Sequence, residues 1–163
     1  MGLTSASARP IVRHLRLCVR TERAPQFLDI TDEVQRLIDK SGVREGFSVI
    51  FCHHTTAAIR LNENEPLLIA DMEEFLKRVA PRELYYRHND FGIRVHNMTE
   101  DECPNAHAHC QHLLLGASEV VPIEAGRLLL GRWQRVFLVE LDRPRVREVS
   151  IQLFGGNAED GHE

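Results

Sequence analysis

A chain of 163 residues, 43% hydrophobic and 27% charged, has the length of one domain and the proportions of an ordinary globular fold. A domain of that size buries roughly 70% of the surface its unfolded chain exposes, so it needs no disulfide or metal to cohere. A net charge of −4 and a pI near 6.1 speak against a duplex nucleic-acid binder, which carries a concentrated basic surface.

The start, Met1 to Pro10, is rich in Ser and Ala and holds no apolar stretch, so neither a secretory leader nor a membrane anchor is expected there. Cys18, Cys52, Cys103 and Cys110 form no Cys-x-x-Cys pair and read as reduced thiols of a cytoplasmic protein. From Ile11 to Thr21 apolar and polar residues alternate, the two-residue period of a half-buried strand. A short strand over Phe27–Ile30 follows. Thr31 is placed to cap a helix whose Val34, Leu37 and Ile38 form the buried stripe and whose end is Gly42. Phe47–Cys52 is an apolar run bounded by glycine, a buried strand, with Ala57–Leu61 as its continuation or partner.

Pro66 suits the first turn of a second helix, along which Leu68, Met72, Phe75, Leu76 and Val79 recur at helical spacing until Pro81. Tyr85 to Pro104 lacks periodicity and is long for a loop, a feature of functional loops. His107–Leu115 fits a short helix closed by Gly116. Four strands complete the chain: Val120–Ile123, Arg127–Leu130, Gln134–Leu141 and Val146–Phe154. Their short connections require antiparallel pairing. The expectation is an α+β fold, an antiparallel β-sandwich or partly closed barrel with flanking helices. Arg143, Arg145 and Arg147 alternate on one face of an extended segment, read as a solvated strand face ahead of a phosphate-binding stripe.

Polar chemistry gathers in two segments. His53 and His54 leave the buried strand together, and only a bend lets both face one site. Thr55 and Thr56 offer hydroxyl and backbone N–H groups suited to holding a small anion. Asn64 or Glu65 is explained as a helix cap, whereas Asn62 and Glu63 are not; Glu63 is the candidate general base, or the partner that orients a histidine.

In the second segment His107 and His109 alternate, close enough to share a metal on extended backbone but about 200° apart on a helix, where His109 and His112 would share a face instead. Residues that merely decorate a helix start are the plain alternative. With His54 or His88 as third ligand, such nitrogens suit zinc or a similar divalent ion. His88 and Asp90 are placed to orient each other. Arg127 and Gln134 are candidate ligand contacts, and Trp133 reads as core or subunit interface. No Lys-Ser/Thr follows Gly126 and Gly131, so this is not a phosphate-binding glycine loop.

The strings HHTTAAIRLNENEP, YYRHND, NAHAH with LLLGAS, and VPIEAGRLLLGRWQRVFLVELDRPR resemble the YjbQ family (UPF0047), also labelled secondary thiamine-phosphate synthases. The likeness runs from about Ile11 to Gln152, and the block from Ser118 through Gly126, Gly131, Trp133 and Gln134 is its most specific part. The resemblance implies an antiparallel sandwich with flanking helices, assembled as a homotrimer. It implies a polar pocket of His54, Thr55, Thr56, Asn62, Glu63, Asn64, His88, Asp90, His107 and His109, with a divalent metal held by histidines.

His53 and His112 fall outside that carry-over, and Phe91–Cys103 departs from the family pattern. The implied activity joins a pyrimidine diphosphate to a thiazole phosphate with release of pyrophosphate. Magnesium and the side chains of Arg87, Arg127 and Arg132 would stabilise the departing diphosphate. Two other readings use the same residues: a metal-dependent hydrolase of a small phosphorylated metabolite, and a non-catalytic trimeric metal- or ligand-binding protein. None involves nucleic acid or a membrane.

Overall fold

A computed structural model describes residues 10–156. Its elements are β1 (Ile11–Arg20), β2 (Gln26–Asp29), α1 (Thr31–Ser41), β3 (Glu45–Cys52), β4 (Ala57–Glu63), α2 (Pro66–Val79), a 3-10 turn (Arg87–Asn89), α3 (Ala106–Leu115), β5 (Ser118–Glu124), β6 (Arg127–Leu128), β7 (Gln134–Glu140) and β8 (Val146–Gly156). Residues 1–9 and 157–163 lie outside the described range; Gly155 and Gly156 continue β8.

All strand pairs are antiparallel, in two curled sheets ordered β1-β8-β3-β5-β6 and β2-β7-β4. The larger sheet meets the smaller through one apolar layer that includes Ile50, Val121, Val149 and Ile151 from one side and Ile59, Val136 and Leu138 from the other, with Val34 and Ile38 of α1. A second layer, Ala58, Phe137 and Val139 against Leu76 of α2 and Ala108 of α3, covers the back of the smaller sheet. β7 is therefore covered on both faces, which is why Val136 to Val139 is an unbroken apolar run while β1 alternates.

Local devices set the joins. Thr31 is the first residue of α1; its hydroxyl donates to Asp29 at 2.6 Å and accepts from Val136 N at 2.8 Å, fastening the helix start to β7. Gly42 closes α1 at φ 79°. The Glu65 carboxylate caps α2 by accepting from Leu67 N and Leu68 N at 3.0 and 2.7 Å. Gly46 and Gly155 face each other across β3 and β8, where a Cβ on either would collide with the opposite backbone.

Among the connections that pass from one sheet to the other are His53–Thr56 between β3 and β4 and Leu141–Arg145 between β7 and β8. They lie side by side: His53 N donates to Glu148 O, and Leu141 N to Thr56 O. This shared end of the sandwich is where the polar residues collect.

Candidate functional site

The alternating Arg143–Arg147 stripe does not form a solvated face, and the correction has a clear cause. Arg147 lies where the two sheets join, 1% exposed. Its guanidinium donates to Glu140 Oε2 at 2.7 Å and Oε1 at 2.5 Å, and to the Thr56 hydroxyl and carbonyl oxygens. Glu140 Oε1 also accepts from the N–H groups of Leu141, Asp142 and Arg143, and Thr21 donates to Oε2. Burial works against the carboxylate's charge, but Arg147 and these N–H groups hold its pKa below the usual range. A buried ion pair is tolerable only when so fully hydrogen-bonded, and here it fixes Thr56 at the sheet-crossing turn.

Around that turn opens a cleft of about 860 Å³. Its floor and near wall are His53, His54, Thr55, Thr56, Arg145 and Arg147; Arg87, His88 and His109 form the far wall, and the loop after the 3-10 turn adds Ile93, Arg94, His96, Asn97, Glu102 and Asn105. Four arginines thus face one carboxylate, and Glu102 is already paired with Arg94 at 2.7 Å. Arg145 is held by Asp142. Arg87 has no carboxylate partner among the described residues.

The imidazoles have defined states. Glu148 N–H donates to His54 Nε2 at 2.9 Å, so the neutral ring carries its proton on Nδ1. Burial, followed by the charge of Arg147, pushes the His54 pKa below its ordinary value. Burial, then neighbouring His88, lowers the His109 pKa. The His88 and His109 rings meet edge to face with centroids 4.9 Å apart. The buried Asn105 Oδ1 has no hydrogen-bond partner among the described residues, an acceptor in want of a donor.

The remaining expected residues lie elsewhere. On α3, His107 points away from His109, as helical spacing requires. It lines a separate cavity of about 150 Å³ with Gln111 and Leu141. Asp90 does not orient His88: it accepts from the Tyr85 hydroxyl at 3.0 Å and from Gly92 N at 3.1 Å, shaping the loop. Glu63 pairs with Gln134 at the far end of β4, whereas the cleft lies beyond the Ala57 end; six residues of strand separate these ends by about 20 Å.

Asn62 contacts Met72, and Asn64 donates to Asp29. Glu63, Asn64, Arg132, Trp133 and Arg135 line their own surface hollow, and Arg127 lies on β6 at the far end of the larger sheet. The single cavity expected to unite Glu63 with His54, His107 and His109 is therefore not formed within one chain.

A family model described as "UPF0047 protein YjbQ-like" matches residues 15–156. The chain belongs to the YjbQ family. A UPF0047 protein of Methanothermobacter thermautotrophicus is 37% identical over 85% of this chain and 90% of its own length. YugU of Bacillus subtilis, also a UPF0047 protein, is 34% identical over 85% and 97%. Among solved structures, a Sulfolobus solfataricus protein described as YbjQ-like and of unknown function superposes with a TM-score of 0.80 at 36% identity, covering 90% of this chain and 99% of that one. A hypothetical protein of Aeropyrum pernix gives 0.77 at 37% identity, over 88% and 98%.

In this YjbQ-family chain, sequence reasoning missed Arg94, His96, Asn97, Glu102 and Asn105 as cleft residues. All but Asn105 belong to an aperiodic loop, where no spacing announces a facing direction. Arg145 and Arg147 did carry a signal, their alternate spacing. The sign that the face is buried was Glu140, a carboxylate ending an otherwise apolar strand.

Proposed function

We propose that the cleft binds a small phosphorylated metabolite and acts on it by acid–base chemistry at His88 and His109. The observation that carries this is the excess of arginines around a pair of packed imidazoles. A site of that sign concentrates anions, and His109, whose burial favours its neutral form, can accept a proton there. Arg87, free of any carboxylate, takes a terminal phosphate; the His54 Nδ1–H and the Thr55 and Thr56 groups add donors for phosphate oxygens.

The nominal family reaction fits this assignment. Joining a pyrimidine diphosphate to a thiazole phosphate forms a bond from the thiazole ring nitrogen, through its lone pair, to the carbon whose bond to oxygen breaks, and pyrophosphate leaves with the electron pair. Arg87 and Arg145 stabilise that departing charge, and His109 passes to the departing oxygen a proton that it has taken from water. Hydrolysis of a phosphorylated metabolite would use the same groups, with His109 drawing a proton from water.

The expected zinc or magnesium has a poorer fit. His54 gives its Nε2 lone pair to a backbone N–H, and His107 lies in another cavity. Among the described residues no group of three His, Cys, Asp or Glu is placed to hold one ion, so no step above runs through a metal.

A homotrimer is part of the proposal, because the residues implied for one pocket lie at two ends of the sandwich about 20 Å apart. Only a second copy can bring such ends together. The test is rescue of a thiamine-phosphate auxotroph, paired with pyrophosphate release by the purified protein. Arg87→Ala and His109→Ala should each abolish both; rescue that survives both substitutions contradicts the assignment. Orthophosphate release from a metabolite panel, without pyrophosphate release, would select the hydrolase instead.

A further inference from the structure

Helix α3 carries a second polar face. His107 and Gln111 stand one helical turn apart on it, 4% and 1% exposed, on the side turned away from His109 and the cleft. They line a cavity of about 150 Å³ walled also by the end of α2, Pro25 and Leu141.

Gln111 has an evident structural duty. Its Nε2 donates to Leu76 O at 2.9 Å and to Ala80 O at 3.3 Å, tying α3 to the last turn of α2. Those two bonds fix which way the amide lies, so Oε1 stands as an acceptor, and among the described residues it has no partner. His107 Nδ1 has none either. Buried polar atoms are as a rule paired, and the tie to α2 accounts for neither of these two.

Charge completes the pattern. Lys77, Arg82 and Glu83 line the same cavity from exposed positions, and none of them forms an ion pair among the described residues. A neutral imidazole with its proton on Nε2 offers Nδ1 as a lone pair. Two acceptors one helical turn apart are then satisfied together by one group with several hydrogens, an ammonium. The two unpaired cations call for a carboxylate. Size limits what can join the two: about 150 Å³ is roughly five water volumes, room for roughly five or six non-hydrogen atoms.

We infer that this cavity binds a small α-amino acid, of the size of glycine or alanine. Its ammonium meets Gln111 Oε1 and His107 Nδ1, and its carboxylate meets Lys77 and Arg82. Glu83 adds a negative charge that favours the ammonium and disfavours a multiply charged anion such as phosphate. The site shares no lining residue with the arginine-edged cleft, so it stands or falls apart from the substrate reading given above.

Isothermal titration of the full chain with glycine, alanine, acetate, methylamine and leucine tests this. Glycine and alanine should bind. Acetate lacks the amine and methylamine the carboxylate, so each should bind about tenfold or more weakly, the loss expected for one missing charged hydrogen bond. Leucine should be excluded by size. Lys77→Ala combined with Arg82→Ala changes only exposed positions and should weaken glycine by a similar factor with unchanged circular dichroism. Gln111→Met keeps the volume but removes the acceptor, and should weaken it as well. The rim variant keeps the test decisive should Gln111→Met fail to fold. Absence of heat with both glycine and alanine overturns the inference. So does acetate, methylamine or leucine binding as tightly as glycine, or an unchanged glycine affinity in the rim variant.

Discussion

Arg147 and Glu140 form the joint on which the site is built, and breaking it should be costly. Arg147→Met leaves a buried carboxylate short of its cation, a change that costs 3–5 kcal/mol in general. Because Glu140 keeps four other donors, about 3 kcal/mol is expected by urea denaturation. Adding Glu140→Gln should restore part of the loss; full additivity of the two changes would show that the pair is not coupled.

His54 and His109 give the fold a pH dependence of known sign. Their folded pKa values lie below the unfolded value of about 6.5. Above that value both states are neutral and nothing is lost; as pH falls below it, the unfolded chain takes up protons that the fold resists. Thermal unfolding should therefore be flat from pH 8 to 7 and fall steadily below about 6.5. A melting temperature that rises on acidification would contradict the assigned states. On activity, His109→Ala should lower turnover by roughly 10²–10⁴-fold.

At the scale of elements, the loop after the 3-10 turn is organised by one side chain. Arg94 donates to Glu102 and to the carbonyls of His96 and Asn97, and thereby presents His96 and Asn97 to the cleft. Arg94→Ala should leave the melting temperature within a few degrees yet speed chymotryptic cleavage near exposed Phe91 and Met98. Unchanged cleavage would mean that the loop holds its shape without this hub.

This loop also marks where reading from sequence stops. Strands and helices were legible because burial imposes a period: β1 alternates, α1 carries Val34 and Ile38 on one stripe, and Gly42 ends it. The cleft's His54, Thr55, Thr56, His88 and His109 were legible as chemistry-bearing types. Their separation from Glu63, Asp90 and His107 was not, since it depends on which end of a strand, or which side of a helix, faces which sheet.

For the whole molecule, the sheet crossings at His53–Thr56 and Leu141–Arg145 gather the cleft's polar residues at one end of the sandwich. Among the described residues no helix is long and apolar enough to cross a membrane. The account depends on the arginine-edged cleft, and not the Glu63 end, being where an anion binds.

Titrating inorganic pyrophosphate into the labelled protein while following histidine ring and backbone resonances tests that directly. Shifts should concentrate at His54, Thr55, His88 and His109 and be lost in Arg87→Ala. Shifts at Glu63, Trp133 and Gln134 with none at the cleft, or none at all, would contradict it.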